Sequence, residues 1–317
     1  MKKSITIIAA MLLALCGYAQ QDAVYNHYMF NELLINPAYA GTKGLLNANA
    51  IFATQWTGFS GSPTTQTLSL EGPVSPSIGL GIHFINDKLG AQSTQGLFGS
   101  YSYKIKLGEK FKLSMGLAAG VSYFTLDGTK LTSENIDDPA IPKNSVSTVL
   151  FDSKAGLFLY SDRFYAGFSV TDMLGDVIKP KDLLVTSQSR HYYLTSGYVF
   201  DLGSRLKLKP SFLYKEDFRA PSNLDLSTFL LYNEKIWIGA TVRVGAQVFK
   251  NNALDNTLKH RDAIVLMTEW NITDKLRIGY AYTQTLSALK NYSGHEIMAG
   301  YYFPVKEPTK MKNPRYF

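Results

Sequence analysis

Alternation of apolar with small or polar residues is the feature that most limits how this chain can fold. From Lys235 to Val244 every second residue is apolar, and the residues between them are small or polar apart from Trp237. A period of two places the two sets on opposite faces of a β-strand. The same pattern recurs over residues 111–123, 155–160, 164–170, 264–272, 276–283 and 296–303. The sequence therefore predicts an all-β chain in which each strand has one apolar face.

The connections between these strands alternate in length. Short turns fall at residues 108–110, 161–163, 203–204, 234–235 and 273–275. Longer polar segments fall between them, at residues 86–94, 127–147, 172–189, 216–223, 249–261 and 287–294. A membrane barrel has short turns at one end and longer loops at the other, and its tilted strands need roughly ten residues to cross the bilayer. We therefore predict a transmembrane antiparallel β-barrel of about fourteen strands over residues 44–303. A secreted β-sandwich is the alternative.

Residues 1–19 have the pattern of a secretory signal peptide. Two lysines precede an apolar run from Ile5 to Cys16, and Gly17 and Ala19 fit the −3 and −1 positions of a cleavage site. The run is too short to span a bilayer as a helix. Lipid attachment at Cys16 is an alternative, although Leu15 is bulkier than that processing prefers. Because Cys16 is the only cysteine, cleavage leaves a mature chain without disulfides or thiolate metal sites.

The charge of the chain argues against nucleic acid as a partner. The formal net charge is +7, and loss of Lys2 and Lys3 with the signal peptide lowers it by 2 to +5. Basic residues are interleaved with acidic ones along the chain, whereas nucleic-acid-binding proteins gather them in a stripe or patch. The inward faces of the predicted strands carry glycines and charges of both signs, such as Glu71 and Arg277. Such charges suggest either ion pairs that brace the wall or a lumen filled by an inserted segment.

Catalytic signatures are absent from the sequence. It contains no Gly-x-Ser-x-Gly elbow, no His-Glu-x-x-His motif and no glycine-rich phosphate loop. The most suggestive acid–base pair is His260 with Asp262 in a predicted loop, where a solvated polar segment is the simpler interpretation. We therefore predict no catalytic residue, no metal site and no cofactor.

The stretch from Tyr28 to Gly41 differs from the strands that follow it. Its first half has apolar residues at helical spacing, whereas Asn36 before Pro37 disfavours a continued helix. Gly41 permits a positive φ just before the first strand. We predict that residues 20–43 form a periplasmic plug or collar docked on the mouth of the barrel. A simple linker is the alternative.

Prolines mark two further positions. Pro210 lies inside a predicted strand and removes a ladder donor, so it predicts a bulge or kink there. The segment 304–317 contains three prolines, four basic residues and one acidic residue. It is predicted to be a basic periplasmic tail, either disordered or a tether for an acidic component.

Four short motifs, in this order, resemble the PorP/SprF family of type IX secretion membrane proteins. They are Asn36-Pro37-Ala38-Tyr39-Ala40-Gly41, Gln55-Trp56-Thr57-Gly58, Gly79-Leu80-Gly81 followed by Asn86-Asp87, and His295-Glu296-Ile297. The resemblance implies an outer-membrane β-barrel of Bacteroidota that works with the type IX secretion and gliding machinery. It assigns no catalytic residue, so Asn36, Pro37, Ala38, Tyr39, Gly41, Gln55, Trp56, Gly58, His295 and Glu296 are candidates for partner contact or structural roles.

The resemblance leads to a function prediction. It implies a non-enzymatic barrel in the cell outer membrane that anchors or displays secreted proteins or adhesins at the surface. Its partners would be type IX secretion components in the periplasm, the secreted protein and outer-membrane lipid. An outer-membrane transporter or channel for small solutes is the alternative, and a hydrolase with its site at the barrel rim is a third.

Overall fold

A computed structural model describes residues 25–131, 142–175, 189–218, 221–246, 262–287 and 289–304. Within these residues, fourteen antiparallel strands form one closed sheet. The predicted signal peptide lies outside the described residues, as does the predicted tail apart from Pro304.

The strands follow the chain in order, and each pairs with its sequence neighbours. They are β1 Asn47–Thr54, β2 Thr64–Pro73, β3 Ile78–Leu89, β4 Gln92–Leu107, β5 Phe111–Asp127, β6 Ser145–Tyr160, β7 Phe164–Thr171, β8 His191–Tyr198 with its continuation Phe200–Asp201, β9 Leu206–Glu216, β10 Ser222–Tyr232, β11 Ile236–Ala246, β12 Ala263–Asn271, β13 Leu276–Thr285 and β14 Ser293–Tyr302. β1 also pairs with β14, from Asn47 opposite Tyr302 to Thr54 opposite His295. This pairing closes the ring.

The wall separates an apolar outer face from a polar inner one. In β11, the outward Ile238 is 61% exposed whereas the neighbouring inward Trp237 is 4% exposed. Outward positions elsewhere carry leucine, valine, phenylalanine and tyrosine, which suits a surface covered by lipid. The predicted closed barrel is therefore confirmed, and the sandwich alternative is wrong because the sheet closes on itself. Among the described residues, no helix is both long and apolar enough to cross a membrane.

One predicted loop is instead a hairpin. Residues 86–94 are polar, but β3 runs to Leu89 and β4 starts at Gln92, so only Gly90 and Ala91 form the turn. Strands β4, β5 and β6 have 16, 17 and 16 residues, more than a membrane crossing needs. The projecting part of a strand has water on its outer side. The polar residues at 86–94 were therefore predicted to form a loop, although most of them belong to the ends of β3 and β4.

Pro210 interrupts the ladder without shifting its register. Ser211 pairs with Gly197 and Leu208 pairs with Phe200, so the same alignment holds on both sides of the break at Val199. On the other side of the strand, Pro210 remains paired with Thr228. A bulge, the first of the two predicted outcomes, is therefore wrong, since it would add a residue to one strand. The kink stays a prediction. The missing N–H leaves a gap in one ladder.

The two ends of the barrel should differ in accessibility on intact cells. Six turns of three or four residues and both ends of the ring share what we call the short-turn end. The other connections, including the two-residue turn at Gly90 and Ala91, join strands at what we call the long-loop end. Because Cys16 is the only native cysteine, Ser60→Cys at the long-loop end and Lys110→Cys at the short-turn end can be labelled singly. We expect an impermeant maleimide to label Ser60→Cys on intact cells, and Lys110→Cys only after permeabilisation. The reverse result would invert the topology.

Candidate functional site

The lumen of the barrel is filled by the chain's own N-terminal residues. Residues 26–43 form three short 3-10 turns, Asn26–Phe30, Glu32–Leu34 and Pro37–Tyr39, joined by irregular backbone. We call residues 26–43 the lumen segment. Its side chains and main chain contact inward residues of β2, β4, β6, β7, β11, β13 and β14. Partners on so many strands around the ring place the segment inside the barrel.

The lumen segment is attached near the long-loop end by one carboxylate. Glu296, on β14, accepts hydrogen bonds from the backbone N–H groups of Asn26 and His27, each at 2.8 Å. Its Oε1 also lies 2.6 Å from Nδ1 of His27. Glu296 is 1% exposed and His27 is fully buried. A carboxylate that receives several donors in a buried site is a strong attachment point.

A second carboxylate holds the segment at the short-turn end. The N–H of Gly41 donates to Oε2 of Glu71 at 2.7 Å, while the carbonyl of Gly41 accepts from Nζ of Lys104 at 2.9 Å. Beside them, the hydroxyl of Ser102 donates to the carbonyl of Ala40 at 2.7 Å. Gly41 has a φ of +67°, as the sequence predicted. The chain turns here before entering β1.

Between these ends, wall side chains donate to carbonyl groups of the segment. Arg277 donates to the carbonyl of Phe30 at 3.3 Å, and Lys154 to that of Leu34 at 3.2 Å. Ser169 donates to the carbonyl of Ile35 at 2.7 Å. Irregular backbone leaves polar groups unpaired, and each would destabilise the fold if buried without a partner. The inward charges predicted from the sequence therefore include ligands of the segment's main chain.

Apolar packing accounts for the rest of the contact. Phe30 lies 6.1 Å, between ring centroids, from both Phe229 and Trp237. Tyr39 packs edge-on against Phe158 at 5.4 Å. Rings at these distances are attracted beyond the gain from burial alone. The principal hydrophobic core of the described residues therefore lies in the lumen.

Glycines in the wall allow the segment to approach closely. A Cβ added to Gly116 would lie 2.2 Å from the backbone nitrogen of Ala38, and one added to Gly79 would lie 2.1 Å from the carbonyl oxygen of Ala40. Neither position has room for a side chain while the segment is in place. Five of the inward glycines thus mark the path of the segment, namely Gly79, Gly81, Gly116, Gly156 and Gly279.

The structure divides the candidate motif residues into two groups. Asn36, Pro37, Ala38, Tyr39 and Gly41 belong to the lumen segment, and Glu296 binds the same segment. The Asn36 side chain accepts from the N–H of Ala38 at 3.0 Å and donates to the carbonyl of Leu157 at 3.1 Å, so it caps the third turn and joins it to β6.

The other group lies at the long-loop end of the β1–β14 seam. Gln55, Trp56 and Gly58 begin the loop after β1, and the N–H of the intervening Thr57 donates to the carbonyl of Ser293 at 2.8 Å. His295 points outward and its Nδ1 lies 2.8 Å from the hydroxyl of Tyr280. Adjacent residues of a strand face opposite sides, so His295 and Glu296 cannot serve the same site.

Within the described part of the chain, the lumen segment itself lines no water-filled path. Every residue from 26 to 43 is buried, whereas side chains that line a water-filled channel would be exposed. The segment lies within the lumen, deeper than the predicted position at the mouth. Its role as a plug is taken up below as a proposal.

Tyr39→Ala should destabilise the barrel by about 3 kcal/mol, because it removes a buried ring. Tyr39→Phe is the matched control, since the Tyr39 hydroxyl has no hydrogen-bond partner among the described groups. We expect Tyr39→Phe to be at least as stable as the wild type. Unfolding by guanidinium in lipid vesicles measures both, and equal stability of the two variants would contradict the packing role.

A closed barrel with an apolar outer belt defines the class of outer-membrane β-barrel proteins. Residues 17–301 match the family described as "Type IX secretion system membrane protein PorP/SprF". The chain therefore belongs to the PorP/SprF family, as the resemblance predicted, and it is a protein of the outer membrane.

The chain is also similar to several solved structures. A Pseudomonas aeruginosa FadL homologue has 13% identity and a TM-score of 0.46, over 87% of this chain and 94% of that one. The Acinetobacter baumannii outer membrane protein Omp33 has 11% identity and a TM-score of 0.44, over 82% of this chain and 98% of that one. The CymD monoaromatic hydrocarbon channel has 11% identity and a TM-score of 0.48, over 92% and 96%. A search of curated proteins finds no match.

Family membership implies that the chain works with components of the type IX secretion machinery. That it is not an enzyme stays a prediction. His260 lies outside the described residues, and its suggested partner Asp262 accepts from the N–H of Gly245 at 3.2 Å.

Proposed function

We infer that this protein is a non-enzymatic component of the type IX secretion and gliding machinery of a Bacteroidota cell, and that it anchors or displays secreted proteins at the surface. Family membership supports the link to secretion. The filled lumen supports anchoring over passive transport, because a sealed barrel presents binding surfaces and no open path. The short-turn end then contacts periplasmic components, and the long-loop end holds the secreted protein.

The loop after β1 is a good candidate for contact with the secreted protein. Phe59 is 46% exposed and packs edge-on against Tyr292 at 5.5 Å. Two aromatic rings from separate loops form a small, partly exposed apolar surface next to Gln55, Trp56 and Gly58. Exposed aromatic residues held in place by a neighbour are typical anchors of protein interfaces.

Passenger localisation tests the proposal. In cells that lack this protein, we expect type IX passengers to be lost from the surface and to appear in the medium or the periplasm, and the wild-type chain to restore them. Phe59→Ala should reduce display without changing the amount of barrel in the outer membrane. Normal surface display of every type IX passenger in the deleted strain would refute an anchoring role.

Solute transport is the alternative function, and conductance separates it from anchoring. Because the lumen segment occupies space that a diffusion channel would need, we expect the purified wild-type protein to give no sustained single-channel currents in planar bilayers. A porin reconstituted in the same way is the positive control. Sustained currents with the size of an open pore would favour the transporter.

A further inference from the structure

We propose that the barrel lumen is a peptide-binding site that recognises main-chain groups. The lumen segment occupies this site at rest, and a peptide of a surface passenger exchanges with it. The part that concerns the passenger rests on the function proposed above.

The direction of the hydrogen bonds supports recognition of the main chain. Both wall carboxylates accept from backbone N–H groups, Glu296 from residues 26 and 27 and Glu71 from Gly41. Five wall donors give their hydrogens to backbone carbonyls, and these are Ser102, Lys104, Lys154, Ser169 and Arg277. Two others, Ser69 and Arg243, donate to side chains of the segment. Main-chain groups occur in every peptide, so such a wall binds a backbone shape more than one set of side chains.

Asn26, Asn31 and Asn36 of the segment bond to the wall through their side chains, but several other buried polar atoms of the segment do not. Glu32 is fully buried, yet neither carboxylate oxygen has a hydrogen-bond partner among the described protein groups. The same holds for the hydroxyl of Tyr39 and for Nε2 of His27. A buried polar atom without a partner is destabilising. A competing peptide would therefore not have to reproduce these side chains in order to bind.

The wall behind the segment is suited to water as well as to a peptide. Its inward positions include many hydroxyl side chains, such as Ser100, Ser114 and Thr67, which have no hydrogen-bond partner among the described groups. Water would satisfy these groups whenever the segment leaves. An interior that never opened would be equally or more stable with apolar residues in their place. The composition of the wall thus fits an occupant that can leave.

Cleaving the chain just after the lumen segment tests directly whether the lumen binds a separate peptide. Gly44 and Leu46 are exposed at the short-turn end, with Leu46 41% exposed, so a protease site inserted after Gly44 can be cleaved in the folded protein. We expect the cleaved segment to stay bound and then to exchange with a fluorescent synthetic peptide of residues 25–43. Failure of the peptide to enter would overturn the proposal, whether the fragment stays or leaves.

Changes to wall and peptide show which groups are recognised. A peptide with sarcosine in place of Gly41 lacks the N–H that donates to Glu71, and we expect its Kd to rise at least tenfold. Glu71→Leu in the wall removes the acceptor itself and should have a similar effect, and Glu109→Leu, in an exposed turn, is the matched control. A peptide with Asn31→Ala loses a side-chain bond to Ser69 and should bind within about threefold of the original. If Asn31→Ala weakens binding as much as sarcosine does, side chains direct recognition and the proposal is wrong.

A second variant covers the case in which the insertion prevents folding. A barrel that lacks residues 20–43 is refolded with and without the peptide, and heat-modifiable migration reports closure of the barrel. We expect the peptide added in trans to restore closure. If only covalently attached residues allow closure, the segment is a fixed folding core and the proposal is wrong.

A reversible disulfide between the lumen segment and β3 tests whether a passenger peptide must replace the segment. A Cβ added to Gly81 would lie 2.9 Å from Cδ1 of Leu33, so Leu33→Cys with Gly81→Cys can fix the segment to β3 when an oxidant is added. We expect oxidation to abolish passenger display, reduction to restore it, and each single cysteine to have no effect. Unchanged display in the oxidised double variant would refute passenger exchange while leaving the anchoring function intact, because anchoring is tested by the deleted strain.

Discussion

Gly41→Val is expected to destabilise the barrel by about 4–6 kcal/mol, or to prevent the lumen segment from docking at all. Gly41 has a φ of +67°, and a Cβ there would lie 2.8 Å from Cα of Gly79, 2.9 Å from the carbonyl oxygen of Gly72 and 3.0 Å from the nitrogen of Pro73. All three contacts are backbone atoms of β2 and β3, which cannot rotate away. Backbone strain and overpacking therefore add together.

Gly90→Ala is the matched control for this prediction. Gly90 also has a positive φ, of +57°, but an added Cβ would meet nothing within 4 Å. We expect only the cost of the backbone conformation, about 1 kcal/mol. Free energies of unfolding in lipid vesicles give both values. Equal effects of the two substitutions would mean that the close approach at Gly41 has no energetic weight.

Glu296→Leu is expected to release the outer part of the lumen segment. The substitution leaves two backbone N–H groups and Nδ1 of His27 buried without their acceptor. Removing one partner of a buried charged cluster costs about 3–5 kcal/mol. Hydrogen exchange of the amides of Asn26 and His27 should accelerate at least about a hundredfold, since each 1.4 kcal/mol corresponds to a factor of ten.

Two controls accompany Glu296→Leu. Glu296→Gln keeps one oxygen as an acceptor and should accelerate exchange much less. Glu109→Gln removes a carboxylate from an exposed turn and should have no effect on these amides. If Glu296→Leu leaves both amides as protected as in the wild type, the carboxylate does not hold the segment.

The barrel was predictable from the sequence because alternation is a local signal. In the strand at 236–246, for example, Trp237, Thr241 and Arg243 are buried whereas Ile238 and Val242 are exposed, as a period of two requires. The ends of β3 and β4 were predicted incorrectly. Residues become polar where a strand leaves the membrane, but these two strands continue beyond that point. The effect of Pro210 was overestimated since a missing donor interrupts one ladder without changing the alignment of the strands.

The site was only partly predictable. Asn36–Gly41 was singled out because its residues differ from those of a strand, and inward charges such as Arg277 were assigned to the correct face. The contacts between the lumen segment and the inward charges could not be predicted, because they join residues far apart in the sequence. The bond from Asn26 to Glu296, for example, spans 270 positions. Outward and inward neighbours such as His295 and Glu296 also looked like one motif, although the strand sends them to opposite sides of the wall.

These long separations bear on the order in which the molecule assembles. Contacts of the lumen segment span 30 residues at Glu71 and 270 at Glu296, and contacts between distant residues form late because a long loop must close first. The pairing of β1 with β14 joins residues as distant as Asn47 and Tyr302, so we expect Glu296 to reach its place late, when or after the ring closes. If the core is completed after the ring, a newly inserted barrel has a hydrated interior for a time. A membrane assembly factor would then bind a barrel with a water-filled lumen before the lumen segment has docked.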